Sequence, residues 1–321
     1  MRSQRRTHSL CAMLPLFATT TASAYGGNAA IDLNHLRPAP GLHKVVTQDL
    51  AAVGRHLELT AQAMLHYADK PLVFCLGSSD CPTTLVAHRV LLDQSLSISL
   101  WQRVEFALSV PLAVYQASSP PPVGARSPAT DSAAAQSGDV GALSPNWLAL
   151  GDLRLRSKVL LYSQPAFGVG AVATLSLPSG DGNSFMGSAL PSLTLRLLGH
   201  GHYRKLTAVL NAGWIFAASE SVLNLRSGMG LEYGAALAVE LFRDGGTPFS
   251  LFGEVLGTML LRQDPNVDLP AEFVLGAKSQ FGAWGFTAGF GSGIHSGAGV
   301  PNVRGFLSIN WTWHRQKAST Q

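Results

Sequence analysis

The segment Leu307–Trp313 places Leu307, Ile309, Trp311 and Trp313 at every second position, with Ser308, Asn310 and Thr312 between them. Successive side chains of a strand point to opposite faces, so this segment has one apolar, aromatic face and one polar face. The same rhythm recurs along the chain. Val104, Phe106, Leu108, Val110, Leu112 and Val114 share a face opposite Arg103, Glu105, Ala107, Ser109 and Ala113. Leu206, Ala208, Leu210, Ala212, Trp214 and Phe216 make another apolar face, and Met229, Leu231, Tyr233, Ala235, Leu237 and Val239 a further one. Helical spacing does not produce strict alternation. Twelve strand candidates follow from about residue 58 onward.

An export signal precedes them. Arg2, Arg5 and Arg6 form a basic start, Leu10 to Ala18 an apolar stretch too short to span a bilayer as a helix, and Ala22-Ser23-Ala24 a small-residue cleavage site. Loss of residues 1–24 leaves 20 basic residues against 19 acidic ones. No basic stripe of the kind nucleic acid requires is present, so no nucleic-acid partner is expected. Charged residues make up only 13% of the chain, which suits an outer surface facing lipid. No apolar run after the signal approaches the ~20 residues of a transmembrane helix. Lipid cannot satisfy backbone N–H and C=O groups, so a chain like this spans a membrane only as a closed barrel. The expected fold is all-β: a transmembrane antiparallel β-barrel of about 12 strands in the bacterial outer membrane, with outer-membrane lipid as its partner.

Connections alternate in length. Short turns are expected near Trp101-Gln102, Ser163–Ala166, Gly199–His202, Arg243–Thr247 and Gly282-Ala283, and longer loops near 75–84, 117–147, 178–187, 263–269 and 293–302. Short periplasmic turns and long external loops are the rule for such barrels, and an even strand number puts both termini on the periplasmic side. The chain then divides into a signal peptide (1–24), a periplasmic lead-in (25–55), the barrel (56–313, with 117–147 a long external loop) and a short periplasmic tail (314–321). In the lead-in, Thr47 is placed to cap a short helix reaching Leu57. Cys75 and Cys81, in an oxidising compartment and separated by five residues, are expected to form a disulfide.

The segment Leu100-Trp101-Gln102-Arg103-Val104-Glu105-Phe106-Ala107-Leu108-Ser109-Val110-Pro111-Leu112 resembles the second hairpin of the barrel domain in OmpA-family proteins of myxobacterial type. Gly151 to Leu155 and Leu177 to Gly182 are similar to recurring segments of that barrel. They also resemble outer-membrane proteins grouped under the phenol meta-degradation pathway. The resemblance covers roughly residues 40–313 and implies an integral outer-membrane barrel. Many such chains continue into calcium-binding repeats or a peptidoglycan-binding domain, whereas this one stops at Gln321, so cell-wall anchoring is not expected.

Chemistry is sparse. His200 and His202 form a pair with no third ligand nearby, and Asp181 stands without other carboxylates; both sites read as turns, and no metal or cofactor is expected. No nucleophile elbow is present, and the chain reads as non-enzymatic. The informative groups are charges on the polar phase of the strands: Asp93, Glu105, Asp152, Arg154, Arg156, Lys158, Arg196, Lys205, Glu232, Glu240, Glu254, Glu272 and Lys278. Near the bilayer midplane a charge on the lipid face costs up to ~2–4 kcal/mol, so these should line the lumen. Arg154, Arg156 and Lys158 form a positive column, fit either for an internal ion-pair network or for a charge-selective pore. Trp101, Tyr115, Trp214, Trp311 and Trp313 sit near strand ends, where membrane-interface aromatics belong. The expected role is structural, or a passive pore for small solutes. The alternative is a transporter of hydrophobic small molecules, to which Phe252 and Leu256, apolar residues on the polar phase, give a hint.

Overall fold

A computed structural model describes residues 30–74, 83–117, 146–222, 225–242, 247–261, 269–295 and 297–314. The signal segment, Cys75 and Cys81, most of the 117–147 loop and the end of the tail lie outside the described residues. Twelve long strands follow in chain order: β1 (Glu58–Phe74), β2 (Thr83–Leu100), β3 (Val104–Ala117), β4 (Leu153–Ser163), β5 (Phe167–Leu177) and β6 (Ser192–Tyr203), then β7 (Leu206–Phe216), β8 (Gly230–Phe242), β9 (Phe249–Leu260), β10 (Ala271–Phe281), β11 (Trp284–His295) and β12 (Val303–Trp313). Each pairs antiparallel with the next. The last returns to the first, from Leu59↔Trp313 to Asp69↔Val303, and closes the barrel. Closure removes both sheet edges, which lipid could not have satisfied.

The alternation sets the two faces. Leu197, Leu210 and Leu307 are 64–67% exposed on the outer wall. Leu65, Leu96, Leu108, Leu237, Leu275 and Phe290 stand out with them. An apolar girdle this continuous is a lipid-facing surface. The intervening residues point inward and are mostly buried, so the core of this molecule is its lumen.

Local chemistry places the turns. Trp101 and Gln102 both have positive φ, and Arg103 N–H donates to Leu100 O at 3.0 Å, which makes the two-residue type I′ turn that matches strand twist. The turn expected at Gly199–His202 lies further on, at Arg204-Lys205, with Arg204 at φ 54°. Gly199, His200, Gly201 and His202 continue β6, because their backbones still find ladder partners in β5 and β7. β1 and β2 are 17 and 18 residues long, against the ~9–11 that cross a bilayer, so this hairpin overshoots the others at the long-loop mouth. The wall slips register in several places, one of them beside Pro111, which lacks an N–H: β3 pairs with β4 as far as Ser109↔Arg154, and pairing resumes one residue out of step at Leu112↔Leu150.

The lead-in expected outside the barrel instead runs through it. Residues 30–57 form a strap that traverses the lumen. At the long-loop mouth Leu33 N–H donates to Phe185 O (3.2 Å). In mid-lumen Leu36, Val45 and Val46 pack against Met64, Val209, Phe252, Leu256, Val274 and Phe306. At the short-turn mouth Leu57 N–H donates to Ser99 O (2.7 Å). The described residues thus start at the long-loop mouth, while Leu59 and Trp313, the paired ends of the first and last strands, lie together at the short-turn mouth. No helix forms from Thr47. Residues 39–50 fold into a tight loop held by Ala39 N–H to Val46 O (2.9 Å) and Leu50 N–H to His43 O (3.1 Å). Gly41 takes φ +80°, and a Cβ there would meet the Glu105 carboxylate at 2.5 Å.

The two faces can be told apart by mutation. Leu197→Arg, mid-strand on the lipid face, should destabilise the folded barrel by ~2–4 kcal/mol. Urea unfolding in lipid vesicles, followed by the heat-shift of the folded band, measures it.

Candidate functional site: the occupied lumen

Oppositely charged groups on strap and wall meet inside the barrel. Near the long-loop mouth Asp32 of the strap takes Arg154 of β4 at 3.2 Å and the strap's own Arg37 at 3.0 Å. Deeper in, Asp49 is fully enclosed and faces three wall cations. Arg156 is hydrogen-bonded to it, Arg196 lies at 3.6 Å and Lys158 at 3.7 Å. The Arg154–Arg156–Lys158 column thus faces the strap's two carboxylates and does not line an open pore. Lys158 is also 3.3 Å from Glu105, and Arg196 2.5 Å from Glu232.

The wall returns the contact with carboxylates. Glu254 of β9 accepts from Thr47 N–H (2.9 Å), the Thr47 hydroxyl (2.5 Å) and Gln48 N–H (2.5 Å). Lys278 of β10 donates to Lys44 O at 3.1 Å, and Asn211 of β7 to Asp49 O at 3.2 Å.

A second set of charges spans the wall near the long-loop mouth. Arg304 forms a two-pronged pair with Glu272 and donates to His66 Nδ1 at 2.9 Å. Guanidinium only donates, so Nδ1 accepts, and the His66 proton sits on Nε2, 2.8 Å from Asp93. Arg89 donates to Gln116 (2.6 Å) and to Ser184 O (3.2 Å).

Eleven of the thirteen charges expected in the lumen stand on its inner phase; Glu240 is among them, toward the short-turn mouth. Two do not line it. Lys205 sits in the exposed Arg204-Lys205 turn and donates to Leu241 O at 3.3 Å. Asp152 lies at the wall slip beside Pro111 and accepts from Gly180 and Ser188 N–H, both at 2.9 Å, and from Ser179 N–H at 3.2 Å, so it anchors the 178–188 loop. Trp101, Trp311 and Trp313 project outward near the short-turn mouth, and Tyr115 and Trp214 toward the other. His200 is a lumen residue whose Nδ1 accepts from Ala51 N–H at 3.1 Å, and His202 meets the Thr207 hydroxyl at 2.8 Å. Asp181 does form a turn: it caps the short 3-10 helix Gly182–Ser184.

Sequence reasoning passed over Asp32, Asp49, His66, Arg89 and Arg304. The last three share the inner phase of their strands and were within reach of the alternation. The two aspartates lie on the strap, which has no periodicity to read.

No family model matches the chain, and no curated protein matches it. Among solved structures it is similar to the COG4313 outer membrane channel from Pseudomonas putida F1. The match has 16% identity and a TM-score of 0.55, and covers 86% of this chain and 100% of that one. Looser matches are the KdgM porin in complex with disordered oligogalacturonate (10% identity, TM-score 0.43, 79% of this chain and 99% of that one) and the CymD monoaromatic hydrocarbon channel (9%, 0.41, 82% and 90%). At these identities the likeness is one of fold, that of a bacterial outer-membrane β-barrel.

Removing one partner of a buried ion pair costs ~3–5 kcal/mol, because the other charges stay buried. Asp49→Asn should therefore speed maleimide labelling of a buried probe, Ala51→Cys, about 100-fold or more.

Proposed function

We propose that this barrel is an outer-membrane channel closed by its own strap. It is a passive route for small solutes when the strap is out, and is shut to all but the smallest when the strap is in. The observation that carries the reading is the course of residues 30–57 from one mouth to the other, with both strap carboxylates met by wall cations. Of the two uses of the positive column, a network or a pore lining, the ion pairs support the network in the closed state. The reading is non-enzymatic, since the lumen charges are assigned to holding the strap. The long-loop mouth is taken as the outer side, in keeping with connection lengths.

A second reading, transport of hydrophobic small molecules, is favoured by a different feature. The outer wall between β9 and β2 bears an apolar hollow of about 510 Å3, lined by Leu65, Leu92, Phe249, Phe286, Leu307 and Ile309. The resemblance to meta-degradation outer-membrane proteins fits this reading, and that to OmpA-type barrels fits a structural role. Phe252 and Leu256 give it no support, because they pack against Leu36, Val45 and Val46 of the strap and line no apolar path.

Planar-bilayer recordings test the first reading. The full chain should be silent or show only small steps, and a chain lacking residues 30–53 should show large, stable ones, with the heat-shift gel confirming that both are folded. Equal conductance from the two would remove the strap from the account. Uptake of a labelled apolar solute by cells making the full chain, without large steps in the bilayer, would favour the second reading.

A further inference from the structure

The strap is fixed covalently at the short-turn mouth, where it runs into β1. Its other end is held by the Asp32–Arg154 pair and, beyond that, by a segment that is not part of the barrel ladder. The 178–188 loop folds inward over the long-loop mouth. Its neck is narrow: Gly180 and Gly187 face each other, and a Cβ on either would lie 2.7 Å from the other's Cα. Asp152 gathers the N–H groups of Ser179, Gly180 and Ser188 at that neck. Arg89 and Asp181 fix its interior, through Ser184 O (3.2 Å) and the Ser184 hydroxyl (2.6 Å).

The loop uses this scaffold to hold one side chain in place. Phe185 is 1% exposed, in a seat made by Leu72, Leu85 and Val86 of the wall and by Ile31 and Leu33 of the strap. Its backbone is left-handed, φ 55° and ψ 35°, a conformation bulky side chains rarely adopt. In that conformation its carbonyl receives Leu33 N–H. One residue thus holds the strap by its ring and by its carbonyl together.

We propose that the 178–188 loop is the catch of an autoinhibitory strap, and that release begins at Phe185 and proceeds inward. The inference rests on the reading of the strap as what closes the channel. Two observations set the order of release. Phe185 lies outside every strand, so it can swing away without breaking a ladder hydrogen bond. The ionic contacts of Asp49, in contrast, are sealed in mid-lumen, its side chain having no exposed surface. They come within reach of water only once the strap's outer end has lifted.

A reversible lock tests this. Leu33 and Phe185 are joined backbone to backbone at 3.2 Å, so Leu33→Cys with Phe185→Cys places two thiols across the catch. The pair is made with Cys75→Ser and Cys81→Ser in the full chain, and folding is checked by heat-shift gel. Oxidised protein should be closed in planar bilayers. Reduction should raise open probability about tenfold or more, the least that loss of a buried phenylalanine seat implies. If the reduced protein stays as silent as the oxidised one while the chain lacking residues 30–53 conducts, the loop is not the catch. If that shortened, folded chain is silent too, the strap does not close the channel, and this inference falls with that reading.

Discussion

Lipid offers the backbone no hydrogen bonds, and everything else in this molecule follows from that. Twelve strands must close on themselves, so β12 pairs with β1. Closure then creates an interior that side chains of the wall alone do not fill. Wall residues on the inner phase include apolar ones such as Met64, Phe252 and Val274, and charged ones such as Lys158, Glu254 and Glu272. Neither sort is stable facing a dry void. The strap supplies both kinds of partner, with Leu36, Val45 and Val46 for the first and Asp32, Asp49 and its own backbone N–H groups for the second.

The electrostatics of strap and wall are reciprocal. A strap carboxylate meets wall cations at Asp49, and a wall carboxylate meets strap donors at Glu254. Buried pairs of this kind add little net stability over well-packed apolar groups, but they penalise every misplacement. A strap shifted by one residue would bury Asp49 away from Arg156 and leave Glu254 without Thr47. The network therefore fixes register more than it adds strength, and it makes the closed arrangement single-valued.

Strand number, the two faces and most of the inner charges were legible, because alternation is a local signal and lipid enforces it without exception. Arg154, Arg156 and Lys158 could be placed on one inner column from spacing alone. Their partners could not. Thr47 meets a residue 207 positions away, and nothing in the composition of residues 30–55 announces that distance. The turn assigned to Gly199–His202 failed because glycine and histidine are as much at home facing a lumen as in a loop. Phe252 and Leu256 carry a signal of the strap as well. Apolar side chains on an inner phase imply an apolar occupant, and here that occupant is the chain itself.

The closing seam joins Leu59 to Trp313, so the ring is completed only when its most distant parts meet. Contacts of that sequence separation are the slowest to form. The segment that fills the ring directly precedes the first strand of the seam. The chain is in effect a thread passed through a loop of its own making. Its assembly thus has an order built in: the filler is laid in before the ring shuts, or is drawn in end-first afterwards. A bulky folded domain fused ahead of residue 30 would block the second route and leave only the first.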